Sequence, residues 1–166
     1  MAIIHSRWES QLESVTLPEN QPQLCSWLVD TSSTTKRLQQ EGLTLVVELL
    51  EGNACPQWLM PFIQNPEACW CRNTLLHVAD SPWMLACTIF PPALIPIARQ
   101  YGNRSLGTWL FAENDTRRDV VHYTNVLYPP DIQVSSRIGV MRYATLLHGA
   151  HTIELIELFL PHNTHI

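Results

Sequence analysis

Two charged residues stand inside apolar strand-like runs, and both could act on a ligand. The first is Glu157, within Thr152 to Pro161 (TIELIELFLP). Ile153, Leu155 and Phe159 share one parity of that run, and Ile156, Leu158 and Leu160 share the other. The run therefore reads as one β-strand covered on both faces. Pro161 lacks a ladder donor and ends it. A carboxylate between Leu155 and Phe159 has to be paired, protonated or used. A neighbouring Arg or backbone donors would satisfy it without any function. Glu154, at the strand's entrance, is expected to be solvated. The second is Arg72, whose parity-mates are Trp70, Thr74 and Leu76. It is either an edge residue whose head reaches water or a buried guanidinium that holds an anion.

Other chemistry is poorly supported. No GxGxxG, P-loop, GxSxG or HExxH pattern occurs, so neither nucleotide binding nor covalent catalysis is indicated. His148 and His151 flank a turn, and His162 and His165 lie on the tail. Neither pair joins Cys or acidic residues at zinc-type spacing, so no metal site is expected. Cys25, Cys55, Cys69, Cys71 and Cys87 are odd in number and form no Cys-x-x-Cys, which suggests reduced thiols in a cytoplasmic protein. The net charge of −5 argues against a nucleic-acid partner. Nine of the ten basic residues are Arg, suited to planar carboxylate recognition, although GC-rich coding gives the same bias. No apolar run approaches membrane-spanning length, and the N-terminus has no signal-peptide pattern. The 166 residues are expected to form one domain, acting as a monomer.

The elements that must position these residues follow along the chain. Residues 1–19 read as an arm or short helix. Asn20 can cap a helix with Gln21 and Pro22 in its first turn and Leu24 to Leu28 in its body. Asp30 to Ser33 breaks it, and a second helix fits Thr34 to Gln40 with Gly42 as its stop. Thr44 to Glu51 is a strand, and Gly52 to Glu67 an irregular connection. Ala68 to Val78 and Trp83 to Phe90 form a hairpin around Ala79-Asp80-Ser81-Pro82. A short helix follows Pro91-Pro92, and Ser105 to Phe111 is another, its start exposing backbone N–H groups. Arg117 to Val126, Val134 to Leu147 and the Glu157 strand complete the chain, with Gly149 at the last turn. The class is α+β, a mostly antiparallel sheet with a few short helices.

Several of these stretches together resemble the chorismate lyase family. They are Leu24-Cys25-Ser26-Trp27-Leu28, Thr35-Lys36-Arg37, Trp70-Cys71-Arg72 with Leu75 and Leu76, and Ala79-Asp80 with Pro82-Trp83. Leu106-Gly107 with Leu110-Phe111, Thr116 to Asp119, and Glu157-Leu158-Phe159-Leu160-Pro161 continue the pattern. The resemblance covers residues 22–161; the first twenty residues, 52–67 and 127–133 match poorly. It implies short helices forming flaps over an enclosed site. It also implies conversion of chorismate to 4-hydroxybenzoate and pyruvate, the first committed step of ubiquinone synthesis, with no cofactor. Carried over, Arg72 would hold the ring carboxylate, Leu106 would add a backbone N–H beside it, and Glu157 would meet the ring hydroxyl. Thr34 stands at a flap position where Met fits the family better, leaving a backbone contact intact. Whether Glu157 takes a proton or only holds the hydroxyl stays open. The alternative is a non-catalytic binding module, since effector domains of some transcription regulators share this fold. Only about twenty residues precede the first helix, too few for a helix-turn-helix.

Overall fold

The Glu157 strand lies at the centre of the sheet. The computed structural model describes residues 2–3, 8–18, 21, 23–50, 60, 70–111, 116–127 and 138–160. Its strands are β1 (Ala2–Ile3), β2 (Leu45–Leu49), β3 (Trp70–Val78), β4 (Ser81–Phe90), β5 (Thr116–Leu127), β6 (Ile138–His148) and β7 (His151–Phe159). They form one sheet in the order β1-β5-β6-β7-β4-β3-β2, every neighbouring pair antiparallel. Three strands therefore flank β7 on each side, which is why both of its parities are apolar. The helices are α1 (Leu24–Val29), α2 (Thr34–Gln40), α3 (Ile95–Gln100) and α4 (Leu106–Leu110). The α+β expectation, an antiparallel sheet with short helices, is met.

Side-chain parity sorts the core. On one face Leu24, Trp27, Leu28 and Leu38 of the first two helices pack on Leu76, Met84, Val140 and Phe159. Further along that face Leu94, Ala98, Trp109 and Leu110 pack on Phe90, Leu146 and Ile153. The opposite face gathers Cys71, Cys87, Ile89, Val126, Met141, Ile156 and Leu158. Cys25, Cys71 and Cys87 are free thiols. Cys55 and Cys69 lie outside the described residues, as do Asn20, Pro22, His162 and His165 and nearly all of the expected 52–67 connection.

Turn and cap chemistry sets the boundaries. Ser33 caps α2, its Oγ accepting from the Lys36 N–H at 3.3 Å, and Gly42 beyond the helix has a φ of +74°. Arg37 ties α2 to α1: it donates to the Ser26 carbonyl at 2.8 Å, pairs with Asp30 and Glu41, and lies 3.8 Å from the Trp27 ring centroid. The β3–β4 turn is shorter than expected. Ala79 and Asp80 alone form it, with φ of 49° and 62°, and Ser81 already pairs with Val78. Two positive φ values match the twist of a two-residue hairpin, so Ser81 and Pro82 belong to the strand. The N-terminal arm also departs from expectation. Ala2–Ile3 pairs with β5, and Glu9 bridges Tyr123, so part of the arm joins the sheet.

Candidate active site

The cavity lies between the sheet and the helices α2 and α4. Its unfilled space is about 530 Å³, mouth included. Arg72, Thr74 and Leu76 of β3, Ala86 and Thr88 of β4, and Leu155 and Glu157 of β7 form its floor. Ser33, Thr34 and Thr35 roof it from α2, and Ser105, Leu106, Gly107 and Leu110 from α4. Every residue named in advance for the site, Arg72, Glu157, Leu106 and Thr34, lines this one space. The roof is latched, because Thr35 Oγ1 and Ser105 Oγ share a hydrogen bond of 2.6 Å. Gly107 permits that approach. A Cβ there would stand 2.7 Å from Thr35 Oγ1 and 2.9 Å from Ser33 Oγ.

Arg72 resolves in favour of the buried alternative. It is 4% exposed. Its Nη2 donates to the Gly102 and Arg104 carbonyls, both at 2.7 Å, and its Nε is buried without a partner among the described residues. Burial pushes its pKa down to about 10, so it stays charged at neutral pH. Among the described residues no carboxylate lies within salt-bridge distance of it. Two carbonyls fix the guanidinium from behind and leave its charge uncompensated toward the cavity.

Glu157 is 2% exposed and is clamped by two arginines. Arg142 donates through Nε at 2.7 Å and Nη2 at 2.6 Å to Oε2. Arg118 reaches Oε2 and Oε1 at 3.2 and 3.4 Å. Arg142 is itself held from behind, its Nη1 donating to the Trp27, Leu28 and Asp30 carbonyls. The end of α1 thus positions the carboxylate through Arg142. Thr34 accepts weakly from Arg142 Nη2 at 3.4 Å. Burial pushes the Glu157 carboxyl up, but Arg118 and Arg142 outweigh it and hold the group below the ordinary value of 4.5.

Sequence reasoning missed Arg118 and Arg142. Arg142 shows the same signal as Glu157, a charge within an apolar strand, and hairpin register places them together. Gly149 and Ala150 form the β6–β7 turn, so His148 faces His151 and, counting back, Arg142 faces Glu157. Glu154 also departs from expectation. It is half-buried on the opposite face, hydrogen-bonded to Tyr143, with one oxygen buried and unpartnered among the described residues, and burial pushes its carboxyl up. His148 contacts Thr116 Oγ1 at 2.7 Å, well away from any metal-like grouping. Among the described residues no three His, Cys, Asp or Glu side chains come together as a metal site, and no helix is long and apolar enough to cross a membrane.

The family model for chorismate lyase matches residues 7–165. Chorismate pyruvate-lyase of Pectobacterium atrosepticum is 32% identical over 162 residues, covering 93% of this chain and 84% of that protein. The Escherichia coli O1:K1 enzyme of the same name is 28% identical over 155 residues, covering 87% of each. Among solved structures, PhnF from Mycobacterium smegmatis superposes with a TM-score of 0.52 at 13% identity, over 79% of this chain and 64% of its own, a likeness of fold alone. With the matched span running nearly end to end, the chain belongs to the chorismate lyase family.

Proposed function

We propose that this protein converts chorismate to 4-hydroxybenzoate and pyruvate, with Arg72, Leu106, Thr34 and Glu157 as its substrate contacts. The observation that carries the reading is a buried, uncompensated Arg72 sharing one cavity with a clamped Glu157. Arg72 pairs with Thr88, and Thr88 with Leu155, two residues before Glu157. The two Cα positions are therefore two strands apart, about 10 Å across the sheet and about 7 Å along it. Two long side chains converging over that span reach the ends of a ring carrying a carboxylate and, opposite it, a hydroxyl.

The chemistry asks for orientation and charge management. The hydroxyl-bearing ring carbon loses its hydrogen, the neighbouring C–O bond breaks, and the released enolpyruvyl group gains a hydrogen at its vinyl carbon to become pyruvate. Aromatisation drives the reaction. Arg72 meets the ring carboxylate with its remaining donors, the Leu106 N–H at the start of α4 adds another, and the Thr34 backbone meets the hydroxyl end. Glu157, held ionised, accepts from the ring hydroxyl. The product enters ubiquinone synthesis. The protein acts as one monomeric cytoplasmic domain over residues 1–166, which light scattering would report as 19.0 kDa.

The test is purified protein with chorismate, following 4-hydroxybenzoate by absorbance and pyruvate by a coupled dehydrogenase. Equal amounts of both are expected, unchanged by EDTA. Tight 4-hydroxybenzoate binding without turnover would instead make the chain a binding module. Dependence on an added divalent metal would overturn the cofactor-free mechanism.

The latched roof bears on product release. Gly107→Ala drives a methyl group into Thr35 and Ser33, so the Thr35–Ser105 latch and the α2–α4 contact must shift. Overpacking of this kind costs about 1–3 kcal/mol, here charged to the closed state. We expect 4-hydroxybenzoate to bind about 10-fold more weakly, with kcat unchanged or higher if opening limits turnover. Calorimetry and amide exchange of residues 33–37 and 105–110 check this. Unaltered affinity and exchange would remove the latch from the release step.

A further inference from the structure

We propose that Arg118 receives the substrate's second carboxylate, the one on the enolpyruvyl ether; this rests on the reaction proposed above. The Arg118 side chain is 2% exposed and lines the cavity. Its contacts to Glu157, at 3.2 and 3.4 Å, are long for charge-assisted bonds, which run at about 2.7–2.9 Å. Its Nε is buried with no partner among the described residues. Arg142 differs on each count: it holds Glu157 at 2.6 and 2.7 Å and spends Nη1 on three carbonyls, leaving no edge for a ligand. One cation is enough to balance the Glu157 charge, Arg142 holds it the more tightly, and Arg118 is a second cation with donor capacity to spare.

Charge and position agree. Among the described residues, three buried guanidinium groups, Arg72, Arg118 and Arg142, share the site with one buried carboxylate, Glu157, and leave two positive charges. Chorismate carries two negative ones. Arg72 takes the ring carboxylate, at the far end from the hydroxyl. The ether sits on the ring carbon next to the hydroxyl-bearing one, so its carboxylate falls at the Glu157 end, where Arg118 lies. There Arg118 also faces the ether oxygen. As the ring C–O bond breaks, its electron pair moves onto that oxygen and becomes the carbonyl of pyruvate, while the vinyl carbon takes the hydrogen lost from the ring. A fixed cation beside the oxygen lowers the cost of that charge.

The test compares two ligands that differ only in the second carboxylate: 3-(carboxymethoxy)-4-hydroxybenzoate and 3-methoxy-4-hydroxybenzoate. The unaltered protein should bind the dianion about 10-fold or more tightly than the methoxy ligand, and Arg118→Gln should reduce that preference to about 2-fold. Arg118→Lys keeps a charge beside Glu157 and guards against loss of the fold. It should lose about 30-fold in kcat/KM for chorismate while 4-hydroxybenzoate affinity stays within about 3-fold. Equal losses for chorismate and 4-hydroxybenzoate would make Arg118 merely a support for Glu157 and overturn the proposal. So would an unaltered protein indifferent to the second carboxylate. If the dianion preference holds but chorismate is not turned over, the reaction falls and the Arg118 site stands.

Discussion

Arg72→Lys is expected to lower kcat/KM for chorismate by about 30- to 150-fold, equivalent to about 2–3 kcal/mol of transition-state stabilisation, with the fold intact. The guanidinium is oriented by the Gly102 and Arg104 carbonyls on one nitrogen, Nη2, which leaves Nη1 and Nε as charge-assisted donors for a carboxylate. An ammonium can satisfy the two carbonyls or reach the ligand, and it has no second parallel donor. The loss should also grow with pH. Burial pushes Arg72 down to about 10, still charged at neutral pH. Lysine starts near 10.4, and the same burial pushes it down toward the neutral range. The Lys variant should therefore lose its residual activity as pH rises from 7 to 9, while the unaltered protein does not lose activity through this residue. Steady-state kinetics over that range, with a thermal melt at each pH, makes the comparison. Near-unaltered kinetics for the Lys variant would remove Arg72 from the site.

What could be read from the sequence was whatever depends on local pattern. The two-parity run Ile153 to Leu160 announces a strand covered on both faces, and it is the middle strand. Ser33 and Gly42 bracket α2 because a hydroxyl cap and a left-handed stop are local devices. Arg72 and Glu157 were conspicuous because a charge in an apolar strand breaks a period of two. What stayed hidden depends on distant pairing. The clamp on Glu157 needs β5 to bring Arg118 beside it, across β6. Arg118 sits in an alternating strand, where a charge looks like a solvated face. The carbonyls holding Arg142 come from the end of α1, more than a hundred residues away. The arm strand Ala2–Ile3 is equally non-local: two residues have no periodicity, and only the open edge of β5 gives them a place. Glu154 misled for a related reason, since strand-end position suggests water and Tyr143 on β6 takes its carboxylate instead.

The Glu157 variants decide how the proton moves. A general base working near neutral pH needs a pKa near that pH, but Arg118 and Arg142 hold this carboxyl below 4.5 despite its burial. Because the folded value is depressed, the ion pairs stabilise the fold above the ordinary carboxylate pKa, and that contribution is lost as pH falls through the folded value. The rate should show no ascending limb from Glu157 between pH 5 and 8. A weak base clamped by two cations suits holding the ring hydroxyl, while the vinyl carbon of the substrate receives the hydrogen. On that role Glu157→Gln keeps an acceptor oxygen and should retain much of the single-turnover rate. Glu157→Ala should lose on the order of 10²-fold, because the acceptor is gone and Arg118 and Arg142 are left buried without their anion. The Ala variant should also melt at a lower temperature, so single-turnover rates are compared where both variants are folded and saturated. If Gln binds 4-hydroxybenzoate normally and is as slow as Ala, Glu157 takes the proton itself, and the Arg clamp must loosen when substrate binds to let it do so.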